Sequence, residues 1–177
     1  KSPKCLKKDA VIKKLKKILE DPSIKKIGQN IKFDFIVFYK CGITLSSMED
    51  TMLMSYVLDA GKNRHNMDTL SEIHLGHKTI SFKEMVGTGK KEINFSEVEL
   101  DKAKDYAAED ADVTFRLYKK FVKNLKSEKM INIYEIFEKP LIKILAFMEI
   151  EGVEIDSKFL KSLSSKFEKK IQKLEKE

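Results

Sequence analysis

Tyr106-Ala-Ala-Glu-Asp110-Ala-Asp-Val-Thr114 is the stretch of sequence on which the fold and the function of this chain depend. It sets acidic residues among alanines in a chain whose other charged residues are mostly lysines. Apolar residues then recur at helical spacing: Val113, Phe115, Leu117, Tyr118 and Phe121. This pattern predicts one unbroken helix. Because Tyr106 and Asp110 are four residues apart, a phenol and a carboxylate share one helix face. Such a pair suits a metal ion and an oriented water, whereas the structural alternative is a solvated acidic face.

A second stretch upstream, Gly28-Gln29-Asn30-Ile-Lys-Phe-Asp34, favours the functional alternative. The residues from Ile24 to Ile27 predict a short strand that enters a tight turn at Gly28. Residues 33–39 then predict a helix that ends near Gly42, a natural C-cap. The sequence therefore predicts a carboxylate, Asp34, at the start of a helix that follows a strand.

Composition limits the class of protein. Of 177 residues, 42% are hydrophobic and 36% are charged, which is enough for a core and a solvated surface. No apolar run approaches the roughly 20 residues that span a bilayer, so we expect no membrane association. The net charge of +7 permits a polyanionic partner but does not identify one, because Arg64 and Arg116 are the arginines and all other basic residues are lysines.

Cys5 and Cys41 have no metal-type spacing, and they predict reduced thiols in a cytoplasmic protein. The chain opens with Lys1-Ser2-Pro3-Lys4, without Met and without a signal-type apolar core. We therefore expect it to be part of a longer protein.

Helical periodicity and breakers predict the remaining elements. Helices are expected over residues 8–20, 50–58, 67–75, from a capping box at 96–99 to about 125, 131–150 and 157–177. Residues 79–97 are expected to form a mixed connector, and Pro140 to bend or break its helix. The histidines, His65, His74 and His77, are interpreted as loop and cap residues, because no cysteine or carboxylate completes a metal site around them.

These motifs resemble the 3′–5′ proofreading exonuclease domain of the bacterial DNA polymerase I family, a family A polymerase. The stretch from Gly28 to Asp34 is similar to the family's second exonuclease motif, and Tyr106-x-x-x-Asp110 to its third. Between them, the stretches around Asp50, Arg64 and His77 follow the family in order. Residues 138–142 and 148–156 resemble the passage into the polymerase domain.

The resemblance implies an α/β, ribonuclease-H-like fold and an enzyme that hydrolyses the 3′ end of single-stranded DNA with two Mg²⁺ or Mn²⁺ ions. By similarity, Asp110 would bind the water-activating metal, Asp34 would reach the other metal through water, and Tyr106 would orient the attacking water. Gln29 and Asn30 would lie beside the site, and Arg64 would contact the substrate. The implied domains are a partial exonuclease domain over 1–126 and the helical start of the polymerase domain over 127–177.

One family motif is missing. The first exonuclease motif, Asp-x-Glu on an early strand, does not occur before Asp34. We therefore expect a fold that lacks its leading strands and is predominantly helical. We also expect weak metal binding and little or no cleavage by the chain alone. Ile24, Ile27 and parts of the 33–39 helix would lose partners, which predicts self-association through an exposed sheet edge.

Two alternatives remain open. A stand-alone exonuclease of the ribonuclease D kind carries similar motifs, although residues 138–156 argue against it. A non-catalytic module that grips single-stranded DNA or supports the polymerase belongs to a different class. In that case Asp34 and Asp110 would be relics. Glu109 and Asp112 are interpreted as surface acids.

Overall fold

The computed structural model describes residues 6–89 and 92–176 and has two compact units, Lys1–Phe147 and Met148–Glu177. Cys5 lies outside the described residues. The first unit begins with α1 (Lys8–Leu19), β1 (Lys26–Gly28), α2 (Ile31–Lys40), β2 (Met48–Asp50), α3 (Thr51–Asp59), α4 (Met67–Leu75) and α5 (Phe82–Val86). A 3₁₀ turn (Phe95–Glu97), α6 (Leu100–Ser127), α7 (Ile131–Ile133), a π-helical turn (Tyr134–Glu138) and α8 (Lys139–Glu151) follow, and α9 (Ser157–Leu174) belongs to the second unit.

A small parallel sheet lies at the centre of the first unit. β1 pairs with β2 in the register Lys26 with Met48, Ile27 with Glu49 and Gly28 with Asp50. In the described part of the chain these are the strands, so the fold is α/β and predominantly helical, as the sequence predicts.

Asp50 connects the sheet to two helices. Its carboxylate accepts hydrogen bonds from the N–H groups of Asn30 and Ile31, which open α2, and from those of Met52 and Leu53, which open α3. It therefore satisfies donors that would otherwise be unpaired at two helix N-termini. Burial raises the pKa of this carboxyl despite the four donors.

The turn from β1 into α2 needs its particular residues. A Cβ at Gly28 would lie 2.9 Å from the side chain of Ile31, so glycine permits the close approach of strand and helix. Asn30 adopts the left-handed conformation with φ 59°, which asparagine tolerates better than most residues.

Two apolar clusters form the core. The first joins α3, α4 and α6 to the π-helical turn: Met54, Leu58, Leu70, Val113, Leu117, Phe121, Leu125 and Tyr134. The second lies between α2, the 43–48 segment and α8: Ile31, Phe35, Ile43, Leu45, Met48, Ile142 and Ala146. The four-residue spacing from Val113 to Leu125 gives the second half of α6 one buried stripe.

Several predicted elements need correction. The strand is Lys26–Gly28 rather than 24–27. The predicted capping box at 96–99 is wrong, because Asn94 and Glu97 form the box there and Glu99 precedes α6 without a side-chain cap. Pro140 does not break the helical run from residue 131 to 151. A π-helical turn ends two residues before this proline, so the run is irregular there, and a bend at Pro140 stays a prediction.

The second unit consists mainly of α9, whose first turn is capped by the carboxylate of Asp156. Large apolar side chains along this helix are exposed, among them Leu160, Phe167 and Ile171. In the first unit, Ile24, Phe33 and Val37 are also exposed. Exposure alone does not test self-association, which stays a prediction. Within residues 6–89 and 92–176, no helix is both long and apolar enough to cross a membrane.

Candidate active site

A cleft of about 590 Å³ lies where β1, the start of α2 and the middle of α6 meet. Its lining includes Asp34 from α2, Asp110 from α6 and Gln29 from the turn after β1. Lys25, Ile27, Gly28, Met67, Ala111, Thr114 and Phe115 complete the lining. The structure thus brings together two carboxylates that are 76 residues apart in the sequence.

Asp110 is held in an unfavourable state for an isolated carboxylate. Its Oδ1 atom is buried and has no hydrogen-bond partner. Burial raises the pKa of Asp110, hydrogen bonding from the Tyr106 phenol lowers it, and the nearby charges of Glu109 and Asp68 raise it further. A buried oxygen without a partner is costly, and a cation would relieve that cost.

Tyr106 lies one turn before Asp110 on the same face of α6. Burial, followed by the negative charge of Asp110, raises the pKa of Tyr106 to about 12. The phenol is therefore protonated near neutral pH and can donate a hydrogen bond. Phe82 and Phe95 surround its ring, with centroids 6.4 Å and 6.0 Å from that of Tyr106. These two phenylalanines stack on each other at 5.9 Å and are exposed.

Asp34 faces the cleft from the first turn of α2. Although the residue as a whole is exposed, partial burial at the cleft raises the pKa of its carboxyl. Gln29 is held in place, because its Nε2 donates to the carbonyl of His65 at 2.7 Å and its Oε1 accepts from Thr51.

Asn30 and Arg64 lie outside this lining. The backbone N–H of Asn30 donates to Asp50 at 3.0 Å, and the residue borders a separate cavity of about 140 Å³ with Lys32 and Asp50. Arg64 is exposed in the loop between α3 and α4. The cleft therefore contains Gln29 of the three expected substrate contacts, and the roles of the other two stay predictions.

Glu109 binds two partners, although its position on α6 predicted a surface acid. Its Oε1 lies 2.7 Å from His77 Nε2, and its Oε2 accepts from the N–H of Ile80 at 2.6 Å. Glu109 thus fastens the 77–80 loop, which leads to Phe82, to the helix that carries Tyr106 and Asp110. Asp112, in contrast, is exposed and pairs with Arg116 at 3.4 Å.

The donor set suits a hard divalent cation only in part. Two carboxylates, one of them with the unpartnered Asp110 oxygen, are ligands of the kind that Mg²⁺ or Mn²⁺ prefers. However, within the residues described, no group of three or more His, Cys, Asp or Glu side chains could hold a metal ion. The chain therefore presents two carboxylates of a metal site rather than a complete ligand set.

Comparisons with known proteins agree on one family. A family model described as 3′–5′ exonuclease matches residues 3–126. The chain is 44% identical over 164 residues to the DNA polymerase I of Rhizobium leguminosarum, covering 93% of this chain and 16% of that protein. It is 38% identical to the DNA polymerase I of Pseudomonas aeruginosa, covering 99% of this chain and 20% of that protein. The chain thus spans about a sixth to a fifth of the length of these relatives.

A solved structure described as the apo form of a nuclease shares the fold. It superposes with a TM-score of 0.64 at 19% identity, covering 81% of this chain and 68% of the other. This likeness supports the predicted nuclease-type α/β fold.

Proposed function

The chain belongs to the 3′–5′ exonuclease family of bacterial DNA polymerase I, and from this we propose that its cleft is part of a proofreading site. The reaction would be hydrolysis of the last phosphodiester bond at the 3′ end of single-stranded DNA. The observation that carries the proposal is that Asp34 and Asp110 line one cleft, with Tyr106 beside Asp110. The remainder of a polymerase chain would be its partner and the bacterial cytoplasm its location.

Each residue would have a separate task. Asp110 and Asp34 would hold divalent ions, which supply activation of a water and stabilisation of the leaving 3′ oxygen when bound. The protonated phenol of Tyr106 would hold and orient the attacking water. Gln29, fixed by its bonds to Thr51 and His65, would present its amide to the terminal nucleotide. The exposed rings of Phe82 and Phe95 offer apolar faces beside Tyr106 on which a base can stack.

The chain by itself is expected to cleave little or no DNA, since two carboxylates do not complete a two-metal site. The Asp-x-Glu pair that supplies the other carboxylates in the family does not occur in this sequence. Full activity would need a protein that also carries that segment.

Digestion of an end-labelled single strand tests the proposal. The chain is compared, with Mg²⁺ or Mn²⁺, with a protein extended upstream by about 70 residues, the length expected to hold the Asp-x-Glu segment. We expect cleavage from the 3′ end by the extended protein. Asp110→Ala in it should lose more than the roughly 10–100-fold that changes around metal ligands typically cause. Enzyme-like cleavage by the shorter chain would contradict the expected inactivity, and no cleavage by either protein would contradict the proposed function.

A non-catalytic DNA-gripping module is the second candidate, favoured by the incomplete ligand set among the described residues. It predicts binding of single-stranded DNA by the extended protein without metal-dependent cleavage. The same digestion, combined with a binding measurement in EDTA, separates the two functions.

A further inference from the structure

Among the described residues that line the cleft, Lys25 is the one with a positive charge, and Asp34 and Asp110 line the same cleft. A strand of DNA entering the cleft brings negative phosphates toward the carboxylates of Asp34 and Asp110. Coulomb repulsion opposes that approach unless cations offset it. The placement of Lys25 is therefore informative about where a phosphate can be accepted.

The ammonium group of Lys25 is positioned by aromatic and acidic neighbours. Its Nζ donates to the hydroxyl of Tyr118 at 3.0 Å and lies 5.7 Å from the centroid of that ring. It is also 3.6 Å from Oε1 of Glu49. The hydrogen bond to Tyr118 and the charge of Glu49 raise the pKa of Lys25 against the opposing effect of burial, so the group stays charged.

Glu49 does not neutralise Lys25 completely, because it has closer partners. Its Oε1 accepts from Lys139 at 2.8 Å, and its Oε2 accepts from the Tyr134 hydroxyl at 3.0 Å. The Lys25 side chain remains 60% exposed. Its charge is thus oriented by Tyr118 and available to a ligand from solvent.

The location also fixes which phosphate Lys25 can reach. Tyr118 follows Asp110 by eight residues of α6, which corresponds to about 12 Å along the helix axis and about 80° around it. The ammonium group held at the Tyr118 hydroxyl is therefore displaced along α6 from the Asp110 carboxylate. It can contact a phosphate further along the same strand.

We propose that Lys25 binds a backbone phosphate of the single strand upstream of the scissile phosphate, with Tyr118 holding its ammonium group in place. Lys25 is a binding residue and takes no part in the chemical step. This inference rests on the proposed function, since it takes the strand to lie in the cleft.

The test measures binding of a 5′-fluorescein-labelled oligothymidylate in EDTA by fluorescence anisotropy, across a series of salt concentrations. Lys25→Ala removes one phosphate contact. It should reduce the slope of log K against log salt by about 0.7. If the variant and the unmodified chain bind equally at 1 M salt, the variant should therefore bind about eightfold more weakly than the unmodified chain at 50 mM salt. Lys25→Arg should restore most of the affinity. A labelled oligodeoxyadenylate should show the same loss, because a phosphate contact does not read bases.

Lys123→Ala is the matched control. It removes the same charge from an exposed position of α6 that lies thirteen residues after Asp110 and therefore on the opposite face of the helix. It should leave the salt slope unchanged. Equal effects of Lys25→Ala and Lys123→Ala would overturn the proposal and show only bulk electrostatic attraction. Absence of binding by the unmodified chain would overturn it too.

Tyr118→Phe separates a phosphate contact from a structural role of Lys25. It keeps the cation but removes the hydroxyl that positions it, so affinity should fall while the salt slope is retained. A thermal melt of each variant checks folding, and Lys25→Gln replaces the alanine variant if that one melts early. The binding measurement contains no metal and does not depend on cleavage. If the cleavage experiment contradicts the proposed function, the effect of Lys25→Ala on DNA binding can still be interpreted.

Discussion

At Asp110, the requirements of chemistry oppose those of folding. The carboxylate is partly buried, one of its oxygens has no partner, and burial raises its pKa. A carboxyl group whose pKa is higher in the folded than in the unfolded protein stabilises the fold at pH values below its unfolded-state pKa, here 3.8. That contribution is lost as the pH rises through the pKa of the folded state. The ionised form therefore weakens the fold near neutral pH.

Asp110→Asn should consequently raise the thermal stability of the metal-free chain. We expect a higher Tm than that of the unmodified chain at pH 7, and a smaller difference near pH 4, where the aspartate binds its proton. Thermal unfolding followed by circular dichroism in EDTA checks both. A difference that is larger at pH 4 than at pH 7 would contradict this explanation.

Glu109 provides a second prediction at this scale. Glu109→Ala leaves the N–H of Ile80 without its partner and removes the His77 contact, so we expect a loss of about 1–3 kcal/mol in the free energy of unfolding. Asp112→Ala, three residues later, removes only an exposed ion pair and should change stability by less than about 1 kcal/mol. Urea unfolding of the two variants makes the comparison. Equal losses would show that the 77–80 loop is not held by Glu109.

The sequence singled out Tyr106, Asp110 and Asp34, of which the structure places the two aspartates in one cleft, while their roles stay predictions; it did not indicate the contacts of Glu109. The first three belong to short motifs whose spacing carries the information. Glu109 depends on partners about thirty residues upstream, and helical phase alone cannot show that a loop folds back onto it. Its interpretation as a surface acid is wrong.

At the scale of elements, Asp50 supports two helices from the end of one strand. Asp50→Ala removes acceptors from four N–H groups, and we expect a loss of about 1–4 kcal/mol in the free energy of unfolding, twice that of one ordinary N-cap. Asp156→Ala removes a single cap, that of α9, and serves as the comparison. Chemical denaturation and helical ellipticity of both variants measure the difference. A loss no greater than about 1 kcal/mol for Asp50→Ala would contradict the double role.

Elements were predicted well where periodicity and caps coincide. The helix Met67–Leu75 with its cap at Gly76 matches the predicted bounds. The predicted bounds of β1 were displaced because the buried residue at its start is a lysine, Lys26. Its Nζ donates to the carbonyls of Asp21 and Ile24 and to Ser46, which no hydrophobic pattern reveals.

At the scale of the molecule, the helical run after α6 completes the first unit. Tyr134 donates to Glu49 and accepts from the N–H of Asp50, while Ile142 and Ala146 fill the second core cluster. The compact unit extends to Phe147, some twenty residues beyond the division expected from the family at 126. The family's own domain boundary stays a prediction.

A chain shortened to end at residue 126 should therefore fail to fold cooperatively, whereas one that ends at 147 should melt in a single transition. The shorter one leaves Glu49 buried without Tyr134 and Lys139, and removing the partners of a buried charge costs about 3–5 kcal/mol. Differential scanning calorimetry of the two chains gives the answer. Equal cooperativity would show that residues 131–147 are dispensable for the unit.

The Tyr134 contact also has a consequence for synthesis in the cell. Ribosomes release the chain from the N-terminus, and domains fold as their residues emerge. The sheet at β2 has to wait for Tyr134, and the core beneath α2 for Ala146, before either can reach its final packing. The first unit thus remains incompletely folded until the segment from Tyr134 to Ala146 has emerged, so β2 and α2 wait for residues that are made much later.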